Sequence, residues 1–179
     1  RRRRQQAGLA RAAAQQWTQA GINIACVNVG GLSQTKAGEL LGIMRDGHID
    51  ILGVCETWEG RCRPQPLPSY TFVGRAWQGS DCGGVGFYIS RALSTLVRVH
   101  TDTALPEAMW LELCGCRAGS VPLFLGLVYL PPPALTNAAV IESTYAALQT
   151  VVARFMQLGE VVVMGDFNSR VGKAQQPGE

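Results

Sequence analysis

The stretch VVVMGDFNSRVG, residues 161–172, runs a hydrophobic segment directly into the polar tetrad Gly165-Asp166-Phe167-Asn168. Val161 to Met164 has the length and β-branched content of a buried strand. An acid and an amide just past a strand end stand on a rigid scaffold beside loops, where binding and catalytic groups concentrate. The same punctuation occurs twice upstream. INIACVNV, residues 22–29, reaches Asn28 before Gly30-Gly31, and a second run from about Asp50 closes at Glu56. Three strands are thus predicted to end at Asn28, Glu56 and Asp166, with Asn168 two positions on. Carboxylates with amide oxygens suit a hard cation such as magnesium. Such an ion binds a phosphate oxygen, orients water and offsets developing charge in phosphoryl transfer. The same residue types also cap loops and bind backbone amides, so the residues alone leave both readings open.

The surrounding segments define an α/β chain with more strand than helix. Ile22, Ile24, Cys26 and Asn28 share one face by period two. Ala37, Leu40, Leu41 and Met44 form a helical stripe that ends near Gly47. Arg61 to Ser69 is proline-rich and reads as a loop. Strands are predicted at Tyr70–Ala76, Val85–Ile89, Leu96–Thr101, Trp110–Leu113 and Leu123–Leu130, the last stopped by Pro131-Pro132-Pro133. Asn137 to Leu158 reads as a helix. Its apolar stripe is Ile141, Tyr145, Leu148, Val152 and Phe155, with Thr136 or Asn137 as N-cap and Gly159 as the stop. No internal repeat is visible.

The 179 residues are 47% hydrophobic and 16% charged, a globular composition large enough for one domain. The net charge of +3 comes from Arg1 to Arg4; the rest is nearly neutral, so the charge balance does not mark a nucleic-acid binder. Residues 1–20 read as a basic, alanine-rich leader, either a helix or a tether, and 21–179 as the domain. No apolar run reaches membrane-spanning length, and the leader is a poor secretory signal. Six cysteines, at 26, 55, 62, 82, 114 and 116, permit disulfides without establishing them. Cys26 and Cys55 are expected as small core residues. Cys114-Gly115-Cys116 has no second pair at zinc spacing, so structural zinc is not expected.

Taken in order, CVNVGGL (26–32), GVCETW (53–58), GGVGFYI (83–89), VYLPP (128–132) and VVVMGDFNSRVG (161–172) resemble the endonuclease/exonuclease/phosphatase superfamily. The wording is most similar to the endonuclease domains of non-LTR retrotransposons. The resemblance covers roughly 20 to 172. It implies a DNase I-like sandwich of two mostly antiparallel sheets flanked by helices, incomplete here at its C-terminus. It implies that Glu56 is the acidic metal ligand and that Asn28 supports the metal and contacts phosphate. Asp166 would orient or deprotonate the attacking water, and Asn168 would hold the phosphoryl group. Tyr129 would donate to a phosphate oxygen, and Trp58 would cover the site rim or stack on a base. Gly83 and Gly84 would serve backbone geometry. The implied cofactor is Mg2+ or Mn2+, the substrate DNA, the partner a reverse transcriptase domain of the same parent chain, and the compartment the nucleus.

Two departures from the family pattern stand out. Gly30 replaces the acidic or amide residue common two positions after the Asn28 equivalent. No closing Ser-Asp-His word follows GDFN, and neither His48 nor His100 is placed to stand in for it. A front portion of such a sandwich is expected to expose strand edges and to associate. Two competing readings follow. One is another branch of the superfamily, an abasic-site nuclease or a phosphatase. The other is an inert fragment with at most weak nucleic-acid contact through Arg1 to Arg4.

Overall fold

Eight strands and two helices follow one another along the chain in a computed structural model that describes residues 21–59, 61, 64, 66–76, 83–100, 105, 108–115, 121–132 and 136–168. The predicted leader, Cys62, Cys82, Cys116, Pro133 and residues 169–172 lie outside the described residues. The elements are β1 (Ile24–Asn28), α1 (Gln34–Asp46), β2 (Ile51–Cys55), β3 (Tyr70–Arg75), β4 (Val85–Ser90), β5 (Val97–His100), β6 (Ala108–Leu113), β7 (Leu123–Tyr129), α2 (Ala138–Met156) and β8 (Glu160–Asp166). They form two four-stranded sheets, ordered β1-β2-β4-β3 and β5-β6-β7-β8. The antiparallel pairs outnumber the parallel ones. Each sheet has one parallel pair, β1·β2 and β7·β8, and each parallel pair is joined by a helix.

Period-two alternation sorts the side chains into layers. Ile51, Cys55, Val85, Phe87, Ile89, Met109, Leu111, Leu113, Leu125 and Leu127 point between the sheets and make the central core. The opposite face of the first sheet, with Leu52, Val54 and Tyr88, packs on Ala37, Leu40 and Met44 of α1. The opposite face of the second, with Trp110, Phe124 and Val128, packs on Leu148, Val151 and Phe155 of α2. β2 is buried on both faces, which is why ILGVC is apolar throughout. Each large side chain so buried stabilises the fold by roughly 1.5–3 kcal/mol.

Both helices start where the residue types call for it. The Ser33 side chain accepts the Lys36 N–H at 3.3 Å to cap α1, and the Gly47 N–H donates to Ile43 O at 2.9 Å at its end. For α2 the cap is Asn137, whose Oδ1 accepts the Val140 N–H at 2.9 Å.

Three expectations are corrected. The stripe predicted for α2 holds only in its C-terminal half: Tyr145 is 39% exposed, Val151 is buried and Val152 half-buried. The N-terminal turns have no buried residue, and the α2 residues in the core cluster shared with the second sheet run from Ala147 to Phe155. Val161–Met164 is not a fully buried strand, because β8 is an edge with β7 as its one ladder neighbour; Val162 is 44% exposed. Cys26 is exposed for the same reason, on the edge strand β1, while Cys55 is a core residue as expected. Edge strands and apolar residues such as Val162, Met156 and Leu158 are exposed. No described helix is long and apolar enough to cross a membrane.

Candidate active site

The two parallel pairs aim their C-terminal ends at one place. Asn28 pairs with Cys55, so Asn28 and Glu56 leave the first sheet together. Tyr129 pairs with Asp166, so these two leave the second sheet together. β1 stacks on β8 across the sandwich. The Asn28 amide Nδ2 then donates to Glu56 Oε1 at 2.8 Å and to Asp166 Oδ2 at 2.6 Å, across 138 residues of sequence. Its Oδ1 accepts the Gly30 N–H at 3.0 Å, an Asx turn that fixes the side chain. In this arrangement Asn28 ties the two carboxylates together as a donor, with its oxygen engaged by the turn.

Asp166 Oδ1 accepts the Asn168 N–H at 2.9 Å, and Asn168 Nδ2 donates to Leu130 O at 2.7 Å. Asn168 is thereby held between its own strand and the segment after β7. The Tyr129 phenol is in hydrogen-bonding contact with Glu56. Burial, then the negative charges of Glu56 and Asp166, push its pKa well above the ordinary tyrosine range, so it stays a protonated donor at neutral pH. Glu56, Trp58 and Asn168 have left-handed backbones, at φ 56°, 51° and 45°. Non-glycine residues take this conformation at a penalty, and such positions cluster at functional sites.

The Glu56–Trp58 segment is stapled on both sides. Gly31 N–H donates to Glu56 O at 2.8 Å and Leu32 N–H to Thr57 O at 3.1 Å. On the other side, Thr57 and Trp58 N–H donate to Gly84 O and Gly83 O at 3.3 and 2.8 Å. The CVNVGGL, ETW and GGVG words are therefore three strands of one support. Gly31 sits at φ +92°, and a Cβ there would lie 2.6 Å from the Trp58 ring. Trp58 thus packs under the turn, half-buried, with its Nε1 buried and unpartnered among the described residues.

One residue escaped the sequence reading. The Lys36 ammonium donates to Val29 O and, at 2.9 Å, to Gly30 O, clamping the turn that carries Asn28. The available signal was its position: a lysine in the first turn of a helix opposes the helix dipole and so calls for another reason to be there. The histidines lie elsewhere. His100 meets Glu112 at 2.8 Å beside Phe124 and Phe155, and His48 lines a cavity of about 730 Å³ with Arg45, Asp50 and Tyr70. That cavity lies at the opposite ends of β1 and β2 and touches neither carboxylate. The hydrogen bonds of the carboxylate cluster are exposed to solvent.

The backbone resembles solved structures over most of its length. The endonuclease domain of TRAS1, a telomere-specific non-LTR retrotransposon, superposes with a TM-score of 0.63 at 15% identity, covering 84% of this chain and 62% of that one. The catalytic domain of Xenopus laevis APE2 gives 0.62 at 16%, covering 87% and 62%. An AP endonuclease from Archaeoglobus fulgidus gives 0.52 at 14%, covering 82% and 57%. The fold is DNase I-like. Its two-sheet sandwich is the architecture these structures share, and the one expected from the sequence words. The chain spans 62% of the first of these structures. No protein-family model matches the sequence, and no curated protein matches it significantly.

Proposed function

We propose that this chain carries the phosphodiesterase centre of a metal-dependent, DNA-nicking endonuclease, encoded by a retroelement whose parent polypeptide also holds a reverse transcriptase. The observation that supports it is the shared Asn28 amide, which draws Glu56 and Asp166 from two different sheets to one solvent-facing point. The DNase I-like backbone and its likeness to the TRAS1 endonuclease domain favour nucleic acid as the substrate class.

The donor set suits Mg2+ or Mn2+. Such ions are commonly held by one or two carboxylates, with phosphate oxygens and water completing the shell. Glu56 would hold the ion, with Asn28 beside it, and among the described residues no cluster of three His, Cys, Asp or Glu offers a closed cage instead. When bound, the ion would supply charge stabilisation on the phosphate and orientation of its oxygens. Asp166, fixed by Asn28 and by the Asn168 N–H, accepts a proton from the attacking water or orients it. Asn168 positions the phosphoryl group. Tyr129, kept protonated by its surroundings, donates to a phosphate oxygen as charge builds. Lys36 acts through the turn it clamps and is a positioning residue. Trp58 lies close enough along the chain to border the substrate path, while its ring supports the turn.

The likeness to the AP endonuclease keeps an abasic-site activity as the second reading. Nicking of supercoiled plasmid by the purified chain, with Mg2+ or Mn2+ and with EDTA as control, tests the proposal. Metal-dependent nicking that disappears in Asp166→Ala is the expected result. Equal nicking by Asp166→Ala refutes the site, and cleavage confined to duplexes bearing an abasic site selects the second reading.

A further inference from the structure

Cys26 and Cys55 stand beside the carboxylate cluster and have no role in the chemistry above. In the parallel register Cys26 lies opposite Gly53 and Asn28 opposite Cys55. The two cysteines are therefore diagonal neighbours on the face of β1·β2 that looks toward the second sheet. Their sulfurs lie close enough for each to influence the other. Both are free; Cys26 is exposed, whereas Cys55 is fully buried with its Sγ 3.7 Å from Val128 O. An exposed thiol with a second, buried thiol beside it on the same face is the arrangement in which one sulfur meets an oxidant and the other resolves the product.

We propose that Cys26 and Cys55 form an oxidative modification site that takes a hydroperoxide and closes to a disulfide. The Cys26 sulfur attacks hydrogen peroxide; the O–O bond breaks, leaving Cys26 as sulfenic acid and releasing one water. The Cys55 sulfur then attacks the Cys26 sulfur; the S–S bond forms, the S–O bond breaks, and the hydroxyl leaves with the Cys55 proton as a second water. Two thiols lose two electrons and one peroxide gains them. Two residues along a strand span about 6.6 Å and neighbouring strands lie about 4.8 Å apart, so diagonal Cα atoms stand farther apart than the roughly 4.4–6.8 Å a disulfide takes. Closure therefore slides β1 along β2. Cys26 is two residues from Asn28 and Cys55 precedes Glu56, so the shift falls on the amide that ties the carboxylates together.

The test treats the full chain with hydrogen peroxide, blocks remaining thiols, digests without reductant and maps the peptides by mass spectrometry. The expected result is a Cys26–Cys55 cross-linked pair lighter by two hydrogens, two fewer titratable thiols, and reversal by dithiothreitol. Cys26→Ser and, separately, Cys55→Ala should each abolish that cross-link. Over-oxidised Cys26 without a cross-link, or Cys26 joined to another chain or to another cysteine, overturns the proposal. The accompanying loss of plasmid nicking rests on the proposed function: peroxide should silence the parent chain and spare Cys26→Ser. Equal loss in Cys26→Ser overturns the link between the disulfide and the site. A chain that never nicks refutes the nuclease reading, and the peptide map still decides the disulfide.

Discussion

Substituting alanine for Gly165 tests the join between β7 and the site most directly. Gly165 pairs with Val128, one step before Asp166, and has φ +144°. A Cβ built there lies 2.7 Å from the Val128 carbonyl carbon and 2.8 Å from its nitrogen, and closer still to its oxygen. These are backbone atoms of a buried strand, so no side chain can swing aside. Backbone strain at such a φ costs about 1–3 kcal/mol. Moving β8 off Val128 forfeits about two ladder bonds at roughly 1 kcal/mol each. The two effects together come to about 3–5 kcal/mol, a large part of the roughly 5–15 kcal/mol that stabilises an ordinary domain. At about 2–4 °C per kcal/mol for a chain of this size, Tm should fall by about 6–20 °C. Gly38→Ala is the control: nothing lies within 4 Å of its added Cβ, and its exposed helical position should gain about 0.5–1 kcal/mol. Calorimetry of both variants checks the pair of signs. A Gly165→Ala melt within about 2 °C of the parent chain would refute the claim that this glycine sets the β7·β8 join.

Phe155 is 1% exposed and stacks on Phe124 at 4.4 Å, with Trp110 at 4.9 Å. Phe155→Ala should destabilise by about 3–5 kcal/mol in urea unfolding; a loss under about 1 kcal/mol would show that α2 is held by something else. Asp50 is 8% exposed, and burial raises its pKa above the ordinary 3.8 against the opposing Asn23 N–H and His48. The folded state therefore holds the Asp50 proton more tightly than the unfolded one, and the ionised form destabilises at neutral pH. That penalty fades as pH falls through the raised pKa and is gone below 3.8. Asp50→Asn keeps an acceptor for the Asn23 N–H, so it should melt higher than the parent at neutral pH and alike in acid; a variant that melts lower at neutral pH would refute this reading.

Much of this architecture was legible because it rests on local signals. Short apolar runs, several punctuated by Gly or Pro, marked the eight strands, and Asn137 is the helix cap its residue type suggested. The strand-end residues Asn28, Glu56, Tyr129, Asp166 and Asn168 do assemble at one place, because parallel pairs align their C-terminal ends. Their chemical roles remain proposals. What failed depended on partners that the pattern does not name. The unbroken apolar run VVVM reads as buried on both faces and does not say that the strand lies at an edge. The Cys26 run looked like core for the same reason. The stripe of α2 gave a helix face but not how far the sheet beneath extends. Lys36 was invisible because its bonds go to backbone carbonyls, which no side-chain pattern records.

The order in which the chain builds its layers has a temporal side. Every strand of the first sheet lies within residues 24–90, and every strand of the second within 97–166. A ribosome thus finishes one sheet, with Asn28 and Glu56 already in place, before the other begins to emerge. Asp166 arrives at the end of the final described strand, and its bond to Asn28 spans 138 residues. Contacts of such long range form late, because loop closure must precede them. Between the synthesis of Glu56 and that of Asp166 the nascent chain holds one acid without the other, and the two meet only when β8 docks.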